Sequence, residues 1–232
     1  DVFTLTMNAG ENRWNTTFVR AFARALDEVE TSTGAAALVT ASASDKFFSN
    51  GLALDWVRDP AAHPDAGPRD PFADEFMKLM ARVITFPMPT IAAVNGHAFG
   101  AGFMLALCHD LRLMRADRGF LCANEMQLGL AIPEPELALF RHKLPLNVFF
   151  ETVQLARRWT GTDALAAGIV HATAGFDDLP AAAHHKAAEL APLGANRALY
   201  RGQKERLYGE HAAISGPHGA AYMLRNLALY QH

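Results

Sequence analysis

The chain has 232 residues, of which 50% are hydrophobic and 19% are charged, and its formal net charge at pH 7 is -3. A chain of this size and composition can bury a substantial core as one globular domain. Its weak net charge excludes a general attraction to nucleic acid or to an anionic membrane surface, and it lacks the run of about 18 apolar residues that would predict a membrane span.

Strand and helix patterns alternate along the first half of the chain. Alternating apolar residues predict short strands, and apolar residues three or four positions apart predict helices. One run of small apolar residues, 35–40, is typical of a strand buried on both faces, as in a parallel sheet. The patterns predict strands at residues 2–6, 35–40, 90–94 and 111–114, and helices at residues 14–29 and 102–107. This alternation predicts a layered α/β fold.

Two further stretches have a distinct composition. Residues 59–70 are dense in proline, glycine and charge, which predicts a mobile loop without secondary structure. From residue 147 to the end, the composition is almost wholly that of helices, with glycines as breaks. The last third of the chain is therefore expected to be helical.

Two glycine-containing turns, at residues 47–52 and 95–102, each follow a predicted strand. Glycine permits positive φ and lets a ligand approach the backbone closely. The second turn opens a helix, whose first N–H groups have no partner within the helix and favour an anion or a developing oxyanion. Either turn alone is also typical of an ordinary strand-to-helix connection, and residues 100–102 lack the third glycine of a dinucleotide-binding motif.

The order of the motifs is more specific than any one of them. The sequence has Phe-Phe-Ser-Asn-Gly at 47–51, Pro-Thr-Ile-Ala-Ala-Val-Asn-Gly-His-Ala-Phe-Gly-Ala-Gly at 89–102, Asp110, Asn-Glu-Met-Gln-Leu-Gly at 124–129, and Trp-Thr-Gly at 159–161 followed by an apolar segment at 164–170. This order resembles the enoyl-CoA hydratase/isomerase, or crotonase, superfamily, and the similarity extends from about residue 7 to residue 171.

The resemblance implies a crotonase-type spiral of ββα units in a core domain, residues 1–174. It also implies a helical C-terminal region, residues 175–232, that serves as a lid and in oligomerisation, so that a homotrimer or a hexamer is expected. The acyl-CoA substrate would lie between the two glycine turns, and the backbone N–H groups of Leu52 and Ala101 would form the oxyanion hole. Coenzyme A is then part of the substrate, and no separate cofactor is expected in this step of fatty acid β-oxidation.

The acidic residues decide which reaction is expected. Hydratases of this family carry two glutamates, because adding water needs one group to activate water and another to protonate carbon. At the first of these positions the chain has Met104, and at the second it has Glu125. One carboxylate is enough to move a proton from C2 to C4, and the sequence around Glu125 is similar to that of mitochondrial-type Δ3-Δ2-enoyl-CoA isomerases. The chain is therefore predicted to be an enoyl-CoA isomerase with Glu125, Leu52 and Ala101 as its catalytic residues.

The acid-base role of Glu125 requires a raised carboxyl pKa. Burial beside Leu121, Met126 and Leu130 is expected to raise the pKa of Glu125 towards the operating pH.

Two other functions stay open at this point. Glu134 or Glu136 could supply a second acid, which would make the chain a hydratase or another crotonase-type enzyme, although both also suit the first turn of a helix. Alternatively, the chain could bind acyl-CoA without catalysis, because Ala53 and Ala101 replace residues that are common in the family.

The substrate-binding residues predicted from the resemblance surround the two turns. They are Lys46, Phe48, Asn50, Gly51, Gly100, Gly102, Met104 and Glu134. Lys46, Arg197, Arg201 and Lys204 are candidates for contacts with CoA phosphates. His97 and His109 lack a third ligand nearby, so no metal site is expected. The two cysteines lie in apolar surroundings, which favours a reduced, cytoplasmic protein whose partner is an acyl-CoA rather than nucleic acid or a membrane.

Overall fold

Eight parallel strands form two sheets in the computed structural model, which describes residues 1–210 and 218–230. The strands are β1 (Val2–Met7), β2 (Ala37–Ser42), β3 (Phe47–Ser49), β4 (Thr90–Val94), β5 (His97–Phe99), β6 (Leu111–Arg115), β7 (Leu121–Cys122) and β8 (Ala172–Ala174). The main sheet has the order β1-β2-β4-β6-β8, and the small sheet has the order β3-β5-β7.

Ten α-helices surround the sheets within the described ranges 1–210 and 218–230. They are α1 (Thr16–Glu30), α2 (Leu54–Arg58), α3 (Phe72–Ile84), α4 (Ala101–Cys108), α5 (Glu134–Lys143), α6 (Leu146–Val153), α7 (Gly161–Ala166), α8 (Leu179–Leu190), α9 (Arg197–Tyr208) and α10 (Ala220–Arg225). This succession of strands and helices, with parallel pairing throughout, confirms the predicted α/β fold.

The main sheet is buried on both faces, as its small apolar residues predict. On one face, Val39 and Ile91 pack against Leu179 and Ala183 of α8. The other face contributes to a larger core that also contains the apolar sides of α1, α3 and α4. Continuous apolar runs in the central strands follow from this double burial.

The structure differs from the sequence predictions in two stretches. Residues 59–70, predicted to lack secondary structure, contain two 3-10 turns, Pro60–Ala62 and Pro64–Ala66. They are held in place because the Trp56 indole N–H donates to the Gly67 carbonyl oxygen at 3.1 Å. The segment after residue 147 is not wholly helical, because β8 pairs with the open edge of β6.

The predicted C-terminal region of residues 175–232 is only partly described, since residues 211–217 and 231–232 lie outside the described residues. Its first helix, α8, packs against the main sheet, and α10 packs against α3 and α5. None of the helices in the described parts of the chain is long and apolar enough to cross a membrane.

Candidate active site

The two predicted glycine turns lie side by side where β3 and β5 end. Gly51 has a φ of 76°, which favours glycine. A Cβ atom on Gly51 would lie 2.9 Å from the Phe99 carbonyl oxygen and 3.9 Å from the Ala101 nitrogen. Because a side chain at position 51 would collide with the Phe99 carbonyl oxygen, glycine at this position allows the first turn to contact the second turn.

Each turn presents a backbone N–H group that has no partner. Ala101 is the first residue of α4, where the helix itself offers no acceptor. On either side of Leu52, the backbone pairs with Trp14: the Trp14 N–H donates to the Gly51 carbonyl oxygen, and the Ala53 N–H donates to the Trp14 carbonyl oxygen. The Leu52 N–H takes no part in this pairing. Neither Leu52 N–H nor Ala101 N–H donates a hydrogen bond to any residue that the structure describes. Two free donors on adjacent turns suit the stabilisation of an oxyanion.

Glu125 lies directly over the second turn. It follows β7 and starts a 3-10 turn, Glu125–Leu128, that ends at Gly129. Its Oε1 atom would be 2.8 Å from a Cβ atom placed on Gly100, the residue before Ala101. Its Oε2 atom is buried and has no hydrogen-bond partner among the described residues. A carboxylate is therefore held beside the turn that carries the Ala101 N–H group, and it forms no ion pair with any described residue.

Burial raises the pKa of the Glu125 carboxyl above its ordinary value, in the direction expected for an acid-base group. The predicted surroundings were only partly right. Leu121 is fully buried, but Met126 in the 3-10 turn and Leu130 just after it are 48% and 44% exposed. Met126 and Leu130 are therefore surface residues and not the buried neighbours that were expected, whereas Gly100, just before α4, lies close to the Oε1 atom of Glu125.

The two candidates for a second acid have different environments. Glu134 is exposed, whereas Glu136 is only 7% exposed although both lie in the first turn of α5. Burial and, to a smaller extent, the negative charge of Glu125 together raise the pKa of Glu136 to about 8. Glu136 is thus the buried carboxyl within electrostatic reach of Glu125.

The chain is similar to known proteins over almost its whole length. A family model described as "Enoyl-CoA hydratase/isomerase" matches residues 1–208. The chain belongs to the enoyl-CoA hydratase/isomerase family. It is 31% identical over 221 residues to "Enoyl-CoA delta isomerase 2, peroxisomal" of Arabidopsis thaliana, covering 93% of this chain and 92% of that protein.

Two further similarities agree with membership of the enoyl-CoA hydratase/isomerase family. "Enoyl-CoA delta isomerase 3" of Arabidopsis thaliana is 32% identical over 176 residues, covering 75% of this chain and 74% of that protein. Two solved structures of one Mycobacterium tuberculosis protein, described once as an enoyl-CoA isomerase and once as a probable enoyl-CoA hydratase, superpose with TM-scores of 0.79 and 0.81 at 24% identity, covering 96% and 98% of this chain and 93% and 91% of those chains. That likeness shows the crotonase fold, and the chain is an enzyme of the hydratase/isomerase family.

Relative to the hydratases of this family, α4 carries an apolar residue where they have a glutamate. Met104 is fully buried and forms part of the hydrophobic core together with Phe103 and Leu107. A thioether cannot transfer protons, so α4 supplies only its backbone N–H groups to the site.

The remaining predicted binding residues are divided between the site and the core. Gly100 and Gly102 both need to be small, because a Cβ atom on Gly102 would lie 2.3 Å from the Ser49 carbonyl oxygen. Asn50 donates a side-chain hydrogen bond to Glu11 at 2.8 Å, and Lys46 is exposed. Phe48 is completely buried in the core. The Phe48 side chain thus packs into the core, although its backbone belongs to the first turn, and Glu134 is exposed on α5.

The basic residues near the C-terminus, which were candidates for phosphate contacts, have internal partners instead. Arg197 donates to the Gly34 carbonyl oxygen at 3.0 Å. Arg201 pairs with Glu30. The Lys204 ammonium is buried and lies 2.8 Å from Asp110. These contacts attach α9 to the rest of the chain.

A cavity of about 970 Å³ opens on the outer side of the first turn. Its wall includes Ala53, the residue after Leu52, and the loop after β1 with Glu11 and Arg13. Glu125 and the second turn do not line it. The cavity therefore lies next to the oxyanion site but does not contain the acid-base group.

Asn12 is a positioning residue that the sequence analysis missed. Its side chain is completely buried and donates to the Phe48 carbonyl oxygen at 3.0 Å, while its own carbonyl oxygen accepts from the Ser49 hydroxyl at 2.7 Å. Its φ of 51° is a conformation that asparagine adopts more readily than most residues. In the sequence, an asparagine two residues after Gly10 was the available indication that the chain adopts a positive φ at position 12.

Among the described residues, no group of three or more His, Cys, Asp or Glu side chains could hold a metal ion. The His109 ring is buried and its nitrogens contact the Leu105 carbonyl oxygen and the Thr40 hydroxyl, each at 2.8 Å.

Proposed function

We propose that the protein is a Δ3-Δ2-enoyl-CoA isomerase, which moves a double bond in an acyl-CoA thioester. The observation that carries the proposal is the position of Glu125, whose carboxylate lies over Gly100 beside the unpartnered N–H group of Ala101. An enolate formed at this turn would have its oxygen at the N–H groups and its acidic carbon near the carboxylate.

The proposed mechanism uses one carboxyl group. Glu125 takes a proton from C2 of a 3-enoyl-CoA while the N–H groups of Leu52 and Ala101 bind the thioester oxygen as it becomes negative. The same proton then returns at C4, and the double bond lies between C2 and C3 in the product. Each oxyanion-hole donor contributes roughly 3 to 4 kcal/mol to such a transition state.

Burial of Glu125 supports its role as the proton carrier. A carboxyl group with an ordinary pKa is a weak base, and a raised pKa brings its proton affinity closer to that of the enolate. The absence of a cationic partner among the described residues keeps this basicity available.

The substrate supplies coenzyme A, and no other cofactor has a part in the proposed reaction. We place the pantetheine arm in the cavity of about 970 Å³ beside Ala53, because a cavity of this size can enclose a flexible ligand arm. The exposed Lys46 is the cation offered to the CoA phosphates, together with Arg13 in the cavity wall, whose guanidinium also pairs with Glu11 at 2.7 Å. Gly51, Gly100 and Gly102 would border the thioester.

The decisive experiment measures two reactions with one protein preparation. Isomerisation of 3-hexenoyl-CoA is followed by the absorbance of the conjugated product, and hydration of crotonyl-CoA is measured in parallel. Glu125→Gln should lower the isomerisation rate by roughly 10²- to 10⁴-fold, the usual contribution of a positioned acid-base group. The matched control is Glu134→Gln, which changes an exposed carboxyl nearby and should leave the rate unchanged.

The outcomes separate the interpretations that the sequence left open. Isomerisation that depends on Glu125, without hydration, supports the single-carboxylate mechanism. Hydration that is lost in Glu136→Gln would replace the proposal by a two-acid hydratase. CoA binding without turnover in either assay would indicate a non-catalytic acyl-CoA-binding protein.

Assembly and location are further parts of the proposal. We expect a homotrimer or a hexamer, because Leu146 and Phe150 on α6 are 65% and 57% exposed, and such apolar exposure suits a subunit contact. Light scattering would measure the mass. A cytoplasmic role in fatty acid β-oxidation is proposed, and fractionation of the source cells would test the location.

A further inference from the structure

A second cavity, separate from the one beside Ala53, lies between the main sheet and α8. Its volume is about 490 Å³, which is in the range of small-molecule sites. Val39, Ala93 and Leu179 in its wall belong to the core between the sheet and α8, whereas Ala101 belongs to the core on the other face of the sheet. The cavity is therefore on the face of the main sheet opposite α4 and the proposed reaction site.

Asn95 is the buried polar side chain in the wall of this second cavity. It directly follows β4 and is only 9% exposed. Its Nδ2 group donates to the carbonyl oxygens of Ser42 at 3.2 Å and Ser44 at 2.6 Å. Because both partners are acceptors, this end of the side chain is the NH2 group, and the other end is the amide oxygen. That oxygen, Oδ1, is buried and has no hydrogen-bond partner among the described residues.

The place of Asn95 in the sheet suits a ligand. Asn95 and Ser42 lie at the carboxyl ends of β4 and β2, which are neighbouring parallel strands. In open α/β sheets, ligands bind in the crevice outside the carboxyl ends of the strands. A buried acceptor that receives no hydrogen bond is unfavourable, so a ligand that donates to Asn95 would remove a penalty that the empty cavity carries.

The charged groups at the cavity favour a cationic donor. Asp177 contributes a carboxylate to the wall, so that a ligand meets this acceptor as well as the Asn95 amide oxygen. The nearby Arg115 guanidinium lies 4.5 Å from the centroid of the Phe176 ring, but its charge is paired with Asp117 at 2.5 Å. An ammonium group can donate to both acceptors and is attracted by the carboxylate.

Most of the remaining wall is apolar, which sets the other half of the ligand. Small and branched side chains from the sheet and from α8 face an aromatic ring in the loop before α8. These residues are Val39, Ala41, Ala93, Phe176 and Leu179. Such a surface binds a hydrocarbon group by excluding water from it.

We propose that this cavity is a second ligand site, which binds a primary ammonium ion that carries a short apolar or aromatic group. The ammonium group donates to Asn95 Oδ1 and interacts with the Asp177 carboxylate, and the apolar group packs between the sheet and α8. The proposal does not depend on the isomerase function, because the site is on the other face of the main sheet.

The first experiment compares two probes that differ in the sign of their charge. They are 2-phenylethylammonium and 3-phenylpropanoate, which share a phenyl ring and a chain of similar length. Titration calorimetry with the wild-type protein measures Kd for each. We expect the ammonium ion to bind with a Kd below about 1 mM and the carboxylate to bind at least roughly 10-fold more weakly, because the carboxylate would face two acceptors.

Two variants with matched controls locate the binding. Ala41→Leu fills the cavity and should weaken binding of the ammonium ion by at least roughly 10-fold. Its control is Ala172→Leu, which enlarges a half-buried alanine of the same core outside the cavity wall. Asp177→Asn removes the carboxylate charge and should weaken binding by about 10-fold, with Asp178→Asn as its control. Thermal unfolding checks that each variant is folded.

A crystal soaked with 2-phenylethylammonium gives the position of the probe. We expect its nitrogen within about 3.2 Å of Asn95 Oδ1. A water molecule on Oδ1 and no bound probe would overturn the proposal, because water would then satisfy the asparagine. Equal binding of the two probes would also overturn it, as would equal affinities in Ala41→Leu and Ala172→Leu. If Ala41→Leu does not fold, Asp177→Asn and the pair of probes decide the question.

Discussion

Replacing Gly100 by alanine should separate the position of Glu125 from the stability of the fold. Gly100 has a φ of 47° and a ψ of -117°, a conformation that L-residues with a Cβ atom rarely adopt. The new methyl group would lie 2.8 Å from Glu125 Oε1 and 3.7 Å from Asn124 Oδ1. Because Oε1 is at the end of a flexible side chain, the carboxylate should move rather than the backbone.

The size of the effect follows from these distances. Ordinary contact begins at 3.4 Å, so Oε1 has to move by at least about 0.6 Å away from the turn. A displacement of about 1 Å in a catalytic group costs up to roughly 10²-fold in rate. We therefore expect kcat for isomerisation to fall by roughly 10- to 100-fold. Backbone strain should in addition lower the free energy of unfolding by about 1 to 3 kcal/mol.

Gly34→Ala is the matched control for this substitution. Gly34 has a φ of 79°, and nothing lies within 4 Å of a Cβ atom placed on it. It should lose stability through strain and keep kcat. Isomerisation of 3-hexenoyl-CoA and thermal unfolding would be measured for both variants. If Gly100→Ala retains kcat within a factor of two while it is destabilised like Gly34→Ala, the carboxylate does not act from its place over the turn.

Three further predictions concern stability. Because the pKa of Glu136 is raised to about 8 in the folded state, the stability linked to its protonation is present below the unfolded pKa and is lost as pH rises towards 8. Urea unfolding between pH 5 and 8 should therefore show a loss of about 1.4 kcal/mol per pH unit that is absent in Glu136→Gln and retained in Glu134→Gln. Lys204→Met should cost about 1 to 3 kcal/mol in thermal unfolding, because it leaves the partly buried Asp110 without its main counterion, and an unchanged melting temperature would contradict this account. Asn12→Ala should lower both stability and kcat, since it removes the side-chain amide that donates to the Phe48 carbonyl oxygen in the first turn and to the Ser42 hydroxyl in β2, and normal kinetics would show that the turn holds its shape without these bonds.

Much of the fold could be predicted because its central strands are buried on both faces. The prediction for residues 90–94 matches β4 at both ends, and α1 and β2 differ from their predictions by one or two residues per end. β8 could not be found in this way, because Ala-Thr-Ala has no strand pattern of its own. Its strand conformation depends on pairing with β6, which is a tertiary effect.

The site was predictable to the extent that its geometry depends on glycine. Gly51 and Gly100 mark turns whose positive φ strongly favours glycine, and the order of the motifs placed Glu125 beside them. The environment of Glu136 was not predictable, because an acid in the first turn of a helix gives the same sequence signal whether it faces solvent or the core. Glu134 and Glu136 differ only in which side of α5 packs against α4 and α10.

The order in which these two carboxyls lose their protons is what makes a second buried acid compatible with the reaction. Glu125 lies at the first turn of α4, where free N–H groups favour a negative charge, whereas Glu136 has no comparable donor among the described residues. The pair therefore carries its single charge on Glu125, where the base is needed. When Glu125 takes the C2 proton, that charge passes to the enolate oxygen at the same N–H groups. The negative charge beside Glu136 does not increase during the step, so Glu136 can remain protonated throughout the cycle.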